Sequence, residues 1–191
     1  KNKKNLIWLK GGFDKDWNRY LRKSDVLVHM AAAGVNKKNV SFNEAIKVNL
    51  LMSCKLLMNA INSNCLKWII IGTASEYGKS SISKKALSVN TQELPETNYE
   101  LSKFYFTQLC LMLSKKYKAK CRIMRLFNVY GEGENKKRLW SSLRIAAKSN
   151  KNFKMTSGYQ IKDFINVKDV AKVILDSTNF KKKDNSFPQI W

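Results

Sequence analysis

The chain has 191 residues, with 36 lysines and arginines against 14 aspartates and glutamates, a formal net charge of +22. That length allows one core, or one core with a small partner. Its longest apolar run, Trp68-Ile69-Ile70-Ile71, is strand-sized and well short of a membrane span, so no membrane partner is expected.

Lys1-Asn2-Lys3-Lys4 leads straight into Leu6-Ile7-Trp8-Leu9, with no signal-peptide apolar region or small-residue cleavage site, and a cytoplasmic location is expected. Cys54, Cys65, Cys110 and Cys121 form no C-x-x-C pair, and His29 is the single histidine, which argues for free buried thiols rather than a metal site. The charge makes nucleic acid a partner to weigh. Lysines are spread along the chain, however, and the tight clusters Lys136-Lys137-Arg138 and Lys181-Lys182-Lys183 lack interleaved aromatics that could stack on bases. The charge therefore reads as a solvated surface that could favour an anionic substrate, and nucleic acid is not the expected partner.

In chain order, Leu6 to Leu9 reads as a strand, Trp17 to Leu21 as a short helix and Val26 to His29 as a second strand. Asn43 to Asn62 repeats Ile46, Leu50, Leu57 and Ile61 at helical spacing and leads into the Trp68 to Ile71 strand. Tyr99 to Lys116 is the next helix and Cys121 to Leu126 the next strand. Gly131-Glu132-Gly133-Glu134-Asn135 is a loop before an amphipathic helix at Leu139 to Lys148. Phe164 to Val167 reads as a short strand, and Val167 to Ser177 as a helix. Strands alternating with longer helical segments predict a parallel sheet covered by helices on both faces.

Tyr99 and Lys103 stand four residues apart on a predicted helix, hence on one face. A phenol is a poor acid or base near neutrality, and a fixed positive charge beside it lowers its pKa, so the pair is suited to moving a proton on and off a hydroxyl. Three strand ends carry small or polar residues: Ala31-Ala32 after His29, Thr73-Ala74-Ser75 after Ile71, and Asn128 after Leu126. Ligands of parallel α/β sheets sit beyond the carboxyl ends of strands. Small side chains there let a ligand approach the backbone.

With these motifs in order, the stretch from Leu6 to Trp191 resembles the extended short-chain dehydrogenase/reductase family, the NAD-dependent epimerases, dehydratases and reductases of nucleotide sugars. The resemblance implies an α/β fold, a Rossmann-like doubly wound parallel sheet lacking its first βαβ unit, with part of a small C-terminal substrate domain. Residues 1–130 would be the NAD(P)-binding part and 131–191 a partial substrate-binding region interleaved with it. Tyr99 would be the catalytic acid/base. Lys103 would lower its pKa and bond the nicotinamide ribose, and Thr73 would hold the reacting oxygen. Asn49 would support the site and its proton path, while Ala31 and Ala32 would lie against NAD or NADP. Ser75, Asn128 and Lys162 would contact a nucleotide-diphosphate sugar. The resemblance also implies a homodimer of the full-length parent and a role in polysaccharide biosynthesis.

Departures from the family pattern narrow these expectations. Dehydratases follow the threonine with Asp-Glu, where this chain has Ala74-Ser75, which disfavours water elimination and leaves epimerisation or ketone reduction at C4. Lys162 stands where the family has an arginine, keeping the charge but losing the planar fork. Gly12 replaces an aspartate that touches adenine, with Asp14 nearby. No G-x-x-G-x-x-G occurs in the sequence, and an inactive fragment of a longer enzyme is expected. The alternative is a non-catalytic basic binding module that holds a nucleotide or polyanion. His29 is expected to be a satisfied strand-end residue. Trp140, Tyr159 and Phe164 would either pack a second core or line a nucleotide pocket.

Overall fold

The structure is a computed structural model, and it describes residues 6–35, 40–83, 86–180 and 188–191. The Lys1-Asn2-Lys3-Lys4 and Lys181-Lys182-Lys183 clusters lie outside the described residues. A short helix α1 (Asn18–Leu21) precedes strand β1 (Leu27–His29). A continuous helical segment then runs from α2 (Phe42–Ala45), through a wide π-type stretch (Ile46–Met52), into α3 (Ser53–Asn62). Strand β2 (Lys67–Thr73) ends in a 3-10 turn (Ala74–Tyr77), followed by α4 (Ser80–Ser83), α5 (Asn98–Tyr117) and β3 (Lys120–Leu126). Beyond these come β4 (Asn128–Tyr130), α6 (Leu139–Lys148), β5 (Phe164–Asn166), α7 (Val167–Ser177) and β6 (Gln189–Ile190).

The main sheet is parallel in the order β1-β2-β3-β6, with Trp68 opposite Cys121 and Ile70 opposite Ile123. Those four side chains share a face and form one core with Leu57 of α3 and Phe106, Cys110 and Leu113 of α5. Alternate residues point to the other face. There Arg122 donates through Nη1 to the Ser177 carbonyl at the end of α7, at 2.6 Å. Its guanidinium lies 4.5 Å from the Phe180 ring and 5.2 Å from that of Trp191. A buried arginine thus anchors the C-terminal helix and strand beneath the sheet.

The elements fall where the periodicity put them, with one correction. Leu6 to Leu9 is not a strand, and these residues are exposed. A strand persists only against a hydrogen-bonded neighbour. Among the described residues, β1 pairs with β2 alone and nothing pairs with Leu6 to Leu9. Of the cysteines, Cys65, Cys110 and Cys121 are free and buried, whereas Cys54 is free and half-buried.

β4 and β5 form a separate two-stranded parallel sheet, with Asn128 opposite Phe164. Among the described residues no helix is long and apolar enough to cross a membrane.

Candidate active site

Three segments converge at the carboxyl end of β2. Helix α5 starts sharply because Thr97 Oγ1 accepts from the Glu100 N–H, while Glu100 Oε2 accepts in turn from the Thr97 N–H. This reciprocal cap fixes the first helical turn, which carries Tyr99 and Lys103. Asn49 sits in the π-type stretch of the facing helix, a widening that lets one side chain protrude toward a site. Ser53 Oγ closes that widened turn on the Val48 carbonyl at 3.1 Å.

Asn49 is buried and fully engaged. Its Oδ1 accepts from the Ala33 N–H at 2.7 Å, and its Nδ2 donates to the Ala33 carbonyl at 3.0 Å and to Ser102 Oγ at 2.9 Å. Ser102 Oγ donates onward to the Tyr99 carbonyl at 2.8 Å. The loop after β1 is therefore tied to the first turn of α5, leaving Ala31 exposed and Ala32 half-buried. Gly34 adopts φ +96°, and a Cβ there would stand 3.0 Å from Cδ2 of the Tyr99 ring. Only glycine lets this loop lie so close to the phenol.

The Thr73 side chain lies close to the Tyr99 phenol. Its Oγ1 also accepts from the Ser75 N–H at 3.2 Å, and Ser75 itself is exposed at the mouth. Lys103 is buried, and its Nζ donates to the Ile71 carbonyl at 2.7 Å.

Burial first, and with it the Glu76 charge, pushes the Tyr99 phenol above its ordinary pKa, with the Thr73 side chain and the charge of Arg138 working against it. This corrects the expectation that Lys103 sets a lowered value: desolvation of the phenolate outweighs the favourable contacts. Burial likewise pulls Lys103 below its ordinary value, and Glu76 pushes back.

His29 closes the floor. Its Nε2 lies 3.0 Å from Ser53 Oγ, and its ring packs against Phe106 with centroids 5.0 Å apart. Nδ1 is buried without a partner, so the histidine is only half satisfied. Burial first, then the Lys103 charge, lowers its pKa to about 4, and the imidazole is neutral at physiological pH.

A second group of predicted residues assembles some distance along the chain. Asn128 Nδ2 donates to the Asp163 carbonyl at 3.0 Å. Asn128 and Lys162 both line a cavity of about 530 Å³, together with Arg138, Trp140, Phe153 and Phe164. Trp140 and Phe164 also pack on Tyr130, with centroids 4.9 and 6.4 Å from it. The two aromatics thus pack on Tyr130 and also line this cavity. Tyr159 does neither and is exposed. Beside Gly12, Asp14 occupies the space a Cβ would need, with Oδ1 at 2.5 Å from that point.

Sequence reasoning missed the charges beneath the site. Arg125 donates through Nε to Glu76 Oε2 at 3.2 Å and through Nη2 to Glu93. Both Arg125 and Glu76 are buried. The signal was available: Arg125 lies, with Arg122, in the otherwise apolar run Cys121 to Leu126, and a buried charge requires a partner.

A parallel sheet wound with helices, its polar residues gathered at strand ends, is a Rossmann-like α/β fold. The sequence matches the NAD dependent epimerase/dehydratase family over residues 3–186, and the chain belongs to that family. Its backbone is similar to a UDP-N-acetylglucosamine 4-epimerase from Methanobrevibacter ruminantium solved with UDP-N-acetylmuramic acid, with TM-score 0.87 and 23% identity over 99% of this chain and 61% of that one. A UDP-glucuronic acid 4-epimerase from Bacillus cereus, solved with UDP-glucuronic acid and NAD, matches with TM-score 0.80 and 23% identity over 95% of this chain and 57% of that one. A dTDP-glucose 4,6-dehydratase from Streptomyces venezuelae, a double mutant with NAD bound, matches with TM-score 0.83 and 18% identity over 99% of this chain and 58% of that one. The chain therefore spans about three fifths of the length of these relatives.

Proposed function

We propose that this chain carries the proton-transfer and sugar-binding residues of an NAD(P)-dependent nucleotide-sugar 4-epimerase or 4-ketoreductase. The observation that carries the reading is the bond from the buried Lys103 to the Ile71 carbonyl, two residues before Thr73, which brings the face of α5 bearing Tyr99 and Lys103 to the end of β2. Residues present here fit the nicotinamide end of a dinucleotide. Ala31 and Ala32 leave the backbone after β1 open, and Lys103 spends one of its three N–H bonds on Ile71. When bound, NAD or NADP supplies the acceptor and donor of a hydride at sugar C4.

The chain's own residues do the remaining work. Thr73 holds the sugar O4 beside the Tyr99 oxygen, so that the phenolate takes the hydroxyl proton as the C4 carbonyl forms and returns it on reduction. Lys103, charged, favours that phenolate against the desolvation that burial imposes. Asn49 keeps the loop after β1 in register with α5. Ser75 at the mouth and Asn128 with Lys162 in the second cavity would grip the nucleotide diphosphate. Residues 1–130 would then serve the cofactor and 131–191 the substrate.

Dehydration is disfavoured because Ala74 and Ser75 supply no carboxylate, and Glu76 is engaged by the Thr73 N–H and Arg125. In the natural protein containing this sequence, Tyr99→Phe should lower turnover of a UDP-sugar by about 100-fold or more while NAD(P)H binding, followed by fluorescence, changes little. Undiminished turnover would overturn the assignment. Net loss of NAD(P)H absorbance during turnover would mark a reductase, and interconversion without net loss an epimerase.

A further inference from the structure

Glu76 is the most buried acid beneath the site, at 0% exposure. Its Oε1 accepts from the Thr73 N–H at 3.0 Å and its Oε2 from Arg125 Nε at 3.2 Å. A backbone N–H on one oxygen and a guanidinium on the other suit the carboxylate, which accepts through both. Space for it exists because residue 72 is glycine: a Cβ there would stand 2.9 Å from Glu76 Oε1.

Arg125 is fixed in turn. Its guanidinium lies 4.7 Å from the Tyr77 ring, its Nη2 bonds Glu93, and its backbone N–H donates to the Trp191 carbonyl at 2.8 Å. Lys103 has the opposite problem, since its buried Nζ rests on a neutral carbonyl with the Phe106 ring 5.7 Å away. Glu76 from the 3-10 turn, Cys110 from its own helix and neutral His29 from β1 are the titratable groups that feel it. Glu76 in turn faces Tyr99, Lys103, Thr107 and Cys110 on α5, Arg125 on β3 and Thr73 on β2. Arg125 thus meets two anions, Glu76 and Glu93, while Lys103 Nζ on the Ile71 carbonyl and Glu76 Oε1 on the Thr73 N–H sit on backbone groups two residues apart along β2.

We propose that Glu76 is a positioning residue for this reaction: clamped by Arg125, its carboxylate holds the Thr73 backbone and is the fixed counter-charge of the buried Lys103 ammonium on the Ile71 carbonyl. The proposal rests on the Tyr99/Lys103 reading above for its consequence in catalysis. Its electrostatic content is independent of any ligand.

The test is a side-chain NMR titration of the protein with lysine Nζ labelled and Lys103 assigned by Lys103→Met. Glu76→Gln keeps the shape and removes the charge, and should lower the Lys103 midpoint by about one pH unit, whereas Glu76→Asp should largely preserve it. An unmoved Lys103 in a folded Glu76→Gln protein would overturn the proposal. Should that variant not fold, the Glu76 carboxyl carbon of the unmutated protein gives the answer: a carboxylate at neutral pH supports the proposal and a protonated acid overturns it. In turnover assays, Glu76→Gln should bring the alkaline limb of kcat down by the same shift with KM retained. A Tyr99→Phe enzyme that still turns over would sink the functional reading alone, leaving the Lys103 titration to stand or fall separately.

Discussion

His29 makes the structure sensitive to acid in a way that can be worked through. Its folded pKa is lowered from the ordinary 6.5 to about 4, chiefly by burial. The unfolded chain therefore binds a proton that the folded chain refuses throughout that interval, and stability falls as pH drops through it. The loss should be about 1.4 kcal/mol per pH unit below about pH 6, about 2 kcal/mol by about pH 5 and roughly 3 kcal/mol in full near the folded value. Glu76, whose pKa burial raises against the pull of the Thr73 N–H and Arg125, works in the opposite sense, because on acidification the folded chain takes up its proton before the unfolded chain does. A variant is therefore needed to isolate the histidine. His29→Phe removes the titration and packs a ring between Phe13 and Phe106. Urea unfolding followed by circular dichroism across the interval should show the unmutated protein losing about 2 kcal/mol more than the variant between about pH 7.5 and about pH 5. Parallel pH profiles for the two proteins would refute the reasoning.

Two further outcomes follow from the geometry. Asn49→Ala strands the Ala33 N–H and the Ser102 hydroxyl, and should cost roughly 2–4 kcal/mol in urea unfolding, with turnover lost even where the protein remains folded; a cost under about 0.5 kcal/mol would show that the Ala33 loop does not depend on it. Lys162→Arg should tighten UDP binding roughly 3–10-fold by calorimetry, because a guanidinium can meet a phosphate through two parallel N–H bonds where an ammonium acts as a point charge. Unchanged or weaker binding would place the diphosphate away from Lys162.

Helical periodicity located α3, α5 and α7, because each buries one face and that face repeats along the chain, and it located α6 although none of its residues is buried. The continuous apolar run Trp68 to Ile71 marked β2 as a central parallel strand, since both of its faces are covered. Tyr99 with Lys103 was legible for the same local reason: an offset of four residues fixes a shared face whatever surrounds the helix. Leu6 to Leu9 shows the limit, as apolar residues suffice to suggest a strand but a neighbour is required to make one.

Other features depended on contacts between distant segments. Asn49 meets Ala33 and Ser102 only because the helical segment containing it widens into a π-type stretch, which local propensity does not specify. Glu76 looked dispensable in the sequence, one residue past the position where a dehydratase carries its acid. It acquires a partner only when β3 pairs beside β2 and brings Arg125 beneath it. The pKa values of Tyr99, Lys103 and His29 were decided in the same way, because desolvation depends on everything packed around a group and not on its neighbours in the chain. The sequence determined which residues could do the chemistry and on which faces they stand. Burial and long-range pairing, which exist only in the folded chain, decided their charge states and which of them meet.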